Sequence, residues 1–182
     1  MWLIEREIVD IRNARALGIA GALSLLANPY SSLAGIILLY IALKRLSEAL
    51  GEKRIADDFL LALIISFVVL LLALFATLFV PFLMAILAYT NFPYWLIIAI
   101  PFFIIWIGLS LSAYFVKRSF YALSSASGEE SFRIAGDYIL LGAILSIFLV
   151  GIIIFFIGQI YETLAFFSLP DSLEIAKTSE GG

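Results

Sequence analysis

Charged residues are absent from three long stretches of this chain, and apolar residues fill those stretches almost completely. The stretches run from Ala16 to Leu43, from Phe59 to Val116 and from Tyr138 to Tyr161. A helix needs about 20 consecutive apolar residues to cross the hydrocarbon core of a bilayer. Each stretch is long enough for at least one such helix, and the second is long enough for two. The pattern therefore predicts an all-α integral membrane protein.

Turn-forming residues divide the two longer stretches. Thr90-Asn91-Phe92-Pro93 splits the second, because Asn favours turns and the residue before Pro disfavours helix. Asn28-Pro29-Tyr30-Ser31-Ser32 interrupts the first, which as one helix would measure about 42 Å against a core of about 30 Å. The predicted fold class is a five-helix transmembrane bundle that forms one polytopic domain over residues 1–170. Its spans are about 11–27, 33–50, 59–80, 94–115 and 136–160.

The distribution of Lys and Arg favours five spans over four. Lys and Arg accumulate on the cytoplasmic side of membrane proteins. With five spans, ten of the eleven lie on one side and only Lys177 lies on the other, whereas four spans split them seven to four. Five spans place the amino terminus in the cytoplasm and the polar, acidic tail of residues 171–182 outside the plasma membrane. The alternative, in which residues 16–43 form one broken span, stays open on this reasoning.

Two flanking segments carry helix signals. Ile4, Ile8 and Ile11 recur at helical spacing among charged residues, which predicts an amphipathic helix in the membrane interface at the amino terminus. Ser127-Gly128-Glu129-Glu130 is typical of a helix start, with its first, second and fourth residues forming a cytoplasmic cap. The helix that follows is expected to run through the fifth span to about Phe166.

Composition supports the membrane prediction and limits the chemistry. Apolar residues make up 64% of the chain and charged residues 14%, whereas soluble domains have about 45–50% and about 25%. The sequence has no Cys and no His, which excludes disulfides, haem and iron–sulfur ligation by those residues and the common zinc sites. We expect no cofactor, no metal and no catalytic residue. A net charge of −3 without a basic tail argues against nucleic acid as a partner.

Enzyme motifs are missing from the sequence. It has no phosphate-binding glycine loop, no nucleophile elbow and no zinc motif, so we expect no enzyme. A membrane enzyme would have to gather the polar residues at the start of the fifth span into one pocket. Those residues are Ser127, Glu129, Glu130 and Asp137. Glu162 lies near the far end of that span, and we expect it to be a solvated interfacial carboxylate.

Small residues recur at helical spacing within several spans. Such residues let helices approach closely, and this packing drives helix association in lipid. We expect contacts inside the bundle, with an interface between subunits as the alternative. The set is Ala14, Gly18, Ala22, Gly108, Ser112, Gly142, Ser146, Gly151 and Gly158.

A group of short stretches, mostly outside the third and fourth spans, carries a family resemblance. They are Ile37–Ser47, Arg118-Ser119-Phe120, Ser127-Gly128-Glu129, Phe132, Ala135-Gly136, Gly142-Ala143-Ile144-Leu145, Gly151 and Phe166-Phe167. Together they resemble domain of unknown function family 996, an uncharacterised family of small archaeal integral membrane proteins. Gly18-Ile19-Ala20-Gly21 is a looser version of the family's glycine-rich start to span one. The resemblance implies an archaeal membrane location and no specific activity.

The function expected from these observations is that of a non-enzymatic accessory or structural subunit of a membrane complex. Its partners would be the lipid bilayer and other membrane subunits or copies of itself. The alternative is a small transporter or channel for a neutral or apolar solute, because no charge lies deep in a span to carry an ion. Transport would require the hydroxyl groups of the spans to face one path. Those groups belong to Ser66, Thr77, Ser110, Ser112 and Ser146.

Overall fold

The computed structural model describes residues 5–27, 32–87 and 93–177. Within these ranges the chain forms six α-helices, one 3-10 turn and two β-strands. In chain order they are β1 (Glu5–Asp10), α1 (Arg12–Ala27), α2 (Ser32–Leu50), α3 (Arg54–Leu87), α4 (Tyr94–Ser127), α5 (Ser131–Ile144), the 3-10 turn (Leu145–Ile147), α6 (Leu149–Ser168) and β2 (Ser172–Lys177). Ile4 and most of the two predicted turns, residues 28–31 and 90–92, lie outside the described residues.

The six helices form three antiparallel hairpins, α1 with α2, α3 with α4, and α5 with α6. The contacts that mark them are Gly21 with Leu39, Gly108 with Val69, and Gly142 with Phe155. Each hairpin leaves one end of the molecule and returns to it. We call this the charged end; it comprises residues 5–15, 44–58, 117–137 and 162–177. The opposite, apolar end is formed by α3 and α4 near Ile86 and Trp95.

All eleven Lys and Arg residues belong to the charged end. Lys177, the single exception in the five-span interpretation, lies in β2 beside β1. Every acidic residue within the described ranges also belongs to this end. Charged side chains are costly in apolar surroundings, and the fold avoids that cost by returning the chain to the same end after each apolar segment.

The three hairpins differ in length. Helices α3 and α4 have 34 residues each and extend about 50 Å at about 1.5 Å per residue. The indole of Trp106 in α4 donates a hydrogen bond of 3.0 Å to the carbonyl of Ile144, so the turn between α5 and α6 lies beside the middle of α4. From Trp106 to Tyr94, α4 continues for about 18 Å past that turn. The α3–α4 hairpin therefore projects beyond the rest of the bundle.

Within the described ranges, three helices are long and apolar enough to cross a membrane: Arg54–Ile86, Trp95–Ser127 and Leu149–Ser168. The predicted fifth span, 136–160, is not one of them, because it is not one helix. It is split between α5 and α6, which pack against each other.

The chain reverses between α5 and α6 at Phe148, whose extended backbone has φ −103° and ψ 140°. Glycines allow the two helices to come together there. A Cβ on Gly142 would lie 2.5 Å from the backbone nitrogen of Phe155, and one on Gly151 would overlap the carbonyl group of Leu145. Every residue around the reversal is apolar or small, so hydropathy alone gives no sign of it.

The amino-terminal segment is a β-strand and not the predicted amphipathic helix. Strand β1 pairs antiparallel with β2, with Glu5 opposite Lys177 and Asp10 opposite Ser172. The pairing continues into the bundle, where the N–H of Ile11 donates to the carbonyl of Asp171 at 3.0 Å. The isoleucine spacing fits a helix, but a neighbouring strand satisfies the backbone groups of this segment instead.

Pairing of β1 with β2 also changes the predicted placement of the two ends of the chain. Residues 172–177 belong to a sheet and are not a separate acidic tail. Because the strands pair residue by residue, both must lie on the same side of any membrane. The prediction that the amino and carboxyl termini lie on opposite sides of the membrane is therefore wrong.

The predicted cap near residue 128 is built by different residues. Ser127 is the last residue of α4, and Gly128 ends that helix with a left-handed φ of 75°. The N–H and hydroxyl of Ser131, the first residue of α5, both donate to the Glu129 carboxylate. Glu130 makes no capping hydrogen bond with its side chain. The cap differs from the prediction because Gly128 ends α4 and the next helix starts only at Ser131, two residues after Glu129.

Three fully buried rings hold the charged end together. Phe132 packs edge-to-face on Phe120 and on Phe166, with ring centroids 5.8 Å and 5.0 Å apart. The ring of Phe166 also lies against Gly18 of α1. This cluster joins four helices beneath the space that the hairpins enclose.

The strand pairing can be tested by disulfide formation, since the natural chain has no Cys. We predict that a variant with Ile8→Cys and Glu174→Cys, which are directly opposite, forms a disulfide on mild oxidation. Opposite residues in an antiparallel pair are close enough for that bond. The matched control is Ile8→Cys with Ala176→Cys, two residues out of register. A mass shift after alkylation reports the bond, and equal yields in the two variants would contradict the register.

Candidate binding cavity

A cavity of about 420 Å³ lies between the three hairpins, and all six helices contribute to its walls. Its volume lies within the range of small-molecule sites, about 300–1,000 Å³. Most of its wall is aliphatic or aromatic. The polar side chains that line it are Ser66, Ser112, Ser146, Gln159 and Glu162.

Small residues close the bundle and also leave space inside it. Ala14, Gly18 and Ala22 are buried in α1, Gly108 meets Val69, and Gly158 meets Ile139. The remaining four residues of the predicted packing set, Ser112, Gly142, Ser146 and Gly151, line the cavity itself. Larger side chains at these positions would fill the space or push α5 and α6 apart.

The directions of the hydrogen bonds at Ser66 and Ser112 follow from the proton count. The hydroxyl of Ser112 donates to the carbonyl of Ala62 at 3.0 Å, and a hydroxyl has only one proton to donate. The two serine oxygens lie 2.7 Å apart, so Ser66 must donate to Ser112. The proton of Ser66 is thereby used, and this side chain offers only acceptor lone pairs to the cavity.

Ser146 has the same property. Its hydroxyl donates to the carbonyl of Ala143 at 2.7 Å, which leaves only lone pairs for a ligand. Of the five hydroxyl residues named for a transport path, Ser66, Ser112 and Ser146 therefore meet at one cavity. Thr77 and Ser110 do not line it.

Glu162 is buried, with 3% of its surface exposed, and it lines the cavity. Its Oε1 atom has no hydrogen-bond partner among the described residues. The prediction of a solvated carboxylate is wrong, because α6 turns back along α5 and encloses this side chain. A sequence signal was present: Gly151, Gly158, Glu162 and Ala165 are spaced as one helical face, and all four are buried.

Lys117 and Arg118, the two basic residues of α4, have other partners. The Lys117 ammonium lies 2.7 Å from the Asp137 carboxylate, and the Arg118 guanidinium lies 3.2 Å from Asp58. No Lys or Arg lines the cavity. Over the described residues, the cavity thus contains one carboxyl group and no cationic side chain.

The residues considered for enzyme chemistry do not meet in this cavity. Ser127 and Glu129 belong to the junction between α4 and α5, where they bond to neighbouring backbone groups. Asp137 lies two turns along α5 and accepts a hydrogen bond of 2.9 Å from the Tyr121 hydroxyl. None of these residues, nor Glu130, lines the cavity.

Comparison with known proteins places the chain in a family. Residues 31–160 match the model of a family described as proteins of unknown function, DUF996. An uncharacterized protein of Methanocaldococcus jannaschii is 29% identical over 177 residues, which cover 91% of this chain and 97% of that protein. No solved structure matches the chain. The family match runs from the start of α2 into α6 and includes the three cavity serines; the chain belongs to the DUF996 family.

Proposed function

We propose that this chain is a non-enzymatic integral membrane protein that binds a small, largely apolar solute between its hairpins, as a carrier or channel would. The observation that carries the proposal is the convergence of Ser66, Ser112 and Ser146 on one mostly apolar cavity. Apolar walls with a few converging polar groups are typical of ligand sites. The convergence supports solute binding over the accessory-subunit role that the sequence alone favours.

Insertion into a bilayer is supported by the surface of the long hairpin. Residues 70–86 of α3 include no buried side chain, and large apolar groups such as Leu78 and Trp95 are 74% and 67% exposed. An apolar surface of this extent promotes aggregation in water, whereas lipid would cover it. We place the charged end in the cytoplasm because it holds every Lys and Arg.

In this placement, only the α3–α4 hairpin crosses the cell membrane completely. Between Lys117 and Tyr94, α4 rises for about 35 Å without a charge, which matches a core of about 30 Å with modest tilt. The turn between α5 and α6, beside Trp106, lies about 16 Å from Lys117 and hence near the middle of the membrane. The two shorter hairpins enter from the cytoplasmic side and turn back.

A turn inside a membrane must satisfy its backbone groups with protein partners. At the α5–α6 turn, the N–H of Phe148 donates to the carbonyl of Leu145 at 2.8 Å. The Ile144 carbonyl accepts from the Trp106 indole of the crossing hairpin. These bonds support a placement of the turn at membrane depth.

A second function, that of an accessory or structural subunit, is favoured by the outer half of the long hairpin. The outer parts of α3 and α4, beyond Val69 and Trp106, expose large apolar side chains such as Leu78 and Ile100. Such a surface suits lipid, another membrane subunit or a second copy of the chain.

Access to the cavity tests the proposed solute binding. We predict that Ser66→Cys in native membranes reacts with N-ethylmaleimide, a small uncharged reagent, at least about ten times faster than Ser119→Cys. Ser119 is the matched control, since it is fully buried and bonds to the Ile55 carbonyl. Mass spectrometry of the alkylated protein gives both rates. Equal, slow labelling would show a closed core and would remove solute binding.

Partner capture tests the accessory-subunit function. If that function holds, the tagged full-length protein, extracted from its native membranes in mild detergent, co-purifies with one membrane protein at fixed stoichiometry. If solute binding is the whole function, we expect only copies of the chain or none. Quantitative mass spectrometry of the purified sample separates the two results.

A further inference from the structure

We propose that the cavity binds an apolar molecule that carries a primary ammonium group, with the Glu162 carboxylate as its counterion. The inference rests on the proposed solute-binding function and names its ligand class. Three features of the cavity support this ligand class: its hydrogen-bond acceptors, its charge and the position of Glu162.

The cavity serines and Glu162 call for a ligand that donates hydrogen bonds, while the Gln159 amide can donate or accept. The hydroxyl groups of Ser66 and Ser146 both donate their protons to acceptors in the protein. An ionised Glu162 has only acceptor oxygens. These three side chains therefore present lone pairs to the cavity. A primary ammonium group brings three N–H donors and no acceptor, which is the complement of that set.

The charge of the cavity calls for a cation. Glu162 is 3% exposed and its Oε1 has no partner in the described part of the chain. A buried carboxyl group either takes up a proton or is stabilised as a carboxylate by a cation or by hydrogen-bond donors. The nearby bases Lys117 and Arg118 are engaged by Asp137 and Asp58. A positively charged ligand would therefore be the partner of the Glu162 carboxylate.

The position of Glu162 sets the orientation of the ligand. Glu162 lies toward the charged end of α6, and the wall between it and Gly151 includes Ile139, Phe155 and Leu109. An ammonium group bound at Glu162 would direct its apolar body toward the middle of the bundle. A compact hydrocarbon cage fits a space of about 420 Å³.

The test uses three compounds of one shape: 1-adamantylamine, 1-adamantanol and adamantane-1-carboxylate. They are titrated by calorimetry at pH 7.5 into the full-length protein in phosphatidylglycerol nanodiscs, with empty nanodiscs subtracted. We expect the amine to bind at least about ten-fold more tightly than the alcohol, and the carboxylate to show no binding. The trimethylated ammonium derivative, which keeps the charge and loses every N–H donor, should bind more weakly than the amine.

Glu162→Gln should lower the affinity for the amine at least about ten-fold and leave the affinity for the alcohol unchanged. Retained alcohol binding also shows that the variant is folded. The matched control is Glu48→Gln, at an exposed site of α2 at the charged end, which should bind all compounds as the natural protein does. Unchanged amine binding by Glu162→Gln, or equal binding of amine and alcohol by the natural protein, would overturn the proposal.

Two further arms separate the remaining explanations. If no compound binds although Ser66→Cys is readily alkylated, the proposed ammonium ligand is wrong and the proposed solute binding stands. If N-ethylmaleimide does not react with Ser66→Cys, both proposals are wrong. Comparing nanodiscs of phosphatidylcholine with nanodiscs of phosphatidylethanolamine, which has the same zero net charge but carries a primary ammonium group, distinguishes the source of the ammonium group. Weaker binding of the amine in phosphatidylethanolamine identifies a lipid headgroup as the occupant, and unchanged binding identifies a free amine.

Discussion

The confinement of charge to one end of the bundle is the constraint on which the rest of this structure depends. A charged side chain has no favourable place in apolar surroundings, and the chain has charged residues between all of its apolar segments. In this fold each apolar segment leaves the charged end and comes back to it. The result is three hairpins, and every Lys and Arg lies at their common base.

The hairpins differ in length because the segments without charged residues differ in length. The segment between Asp58 and Lys117 is free of charge and supplies two helices of 34 residues. The segment between Asp137 and Glu162 is less than half as long, yet it too must return. It can do so only by turning early, beside Trp106. Two short hairpins around one long hairpin leave space between them, and the small residues of α5 and α6 keep that space open.

Glu162 is the exception that gives the cavity its chemistry. It lies at the depth of the other charges, but it faces inward and has no basic partner among the described residues. The aromatic cluster around Phe166 fixes the turn of α6 that carries it. The paired strands bind the start of α1 to the end of α6 through Ile11 and Asp171. The fold thus holds the Glu162 carboxyl group in a mostly apolar surrounding.

The sequence predicted the first four helices well. The predicted segments 11–27 and 33–50 agree with α1 and α2 almost to the residue, because turn residues and charges bound them on both sides. Spans 59–80 and 94–115 were assigned to the correct helices but were too short. The thickness of a membrane sets the predicted length of these spans, whereas the helices continue through the charged end.

The carboxyl-terminal half of the fold could not be predicted in the same way. The reversal near Phe148 occurs in a run of uniform hydropathy, and only the glycine positions hint at it. The β1–β2 sheet joins segments from opposite ends of the chain, so no local pattern specifies it. Three of the five hydroxyl residues that the sequence proposes for a transport path line the cavity, but the burial of Glu162 depends on a reversal that the sequence pattern does not predict. Because the sequence does not predict the reversal at Phe148, it does not predict the burial of Glu162 either.

Maleimide labelling of three variants, each with a single Cys, tests the hairpin topology most directly. In intact cells, a membrane-impermeant maleimide should label Trp95→Cys from outside. It should label Glu129→Cys only after the membrane is permeabilised. Phe148→Cys should resist this reagent from both sides and react only with a permeant one. Labelling of Phe148→Cys from outside would show that the α5–α6 hairpin crosses the membrane, and it would contradict the account.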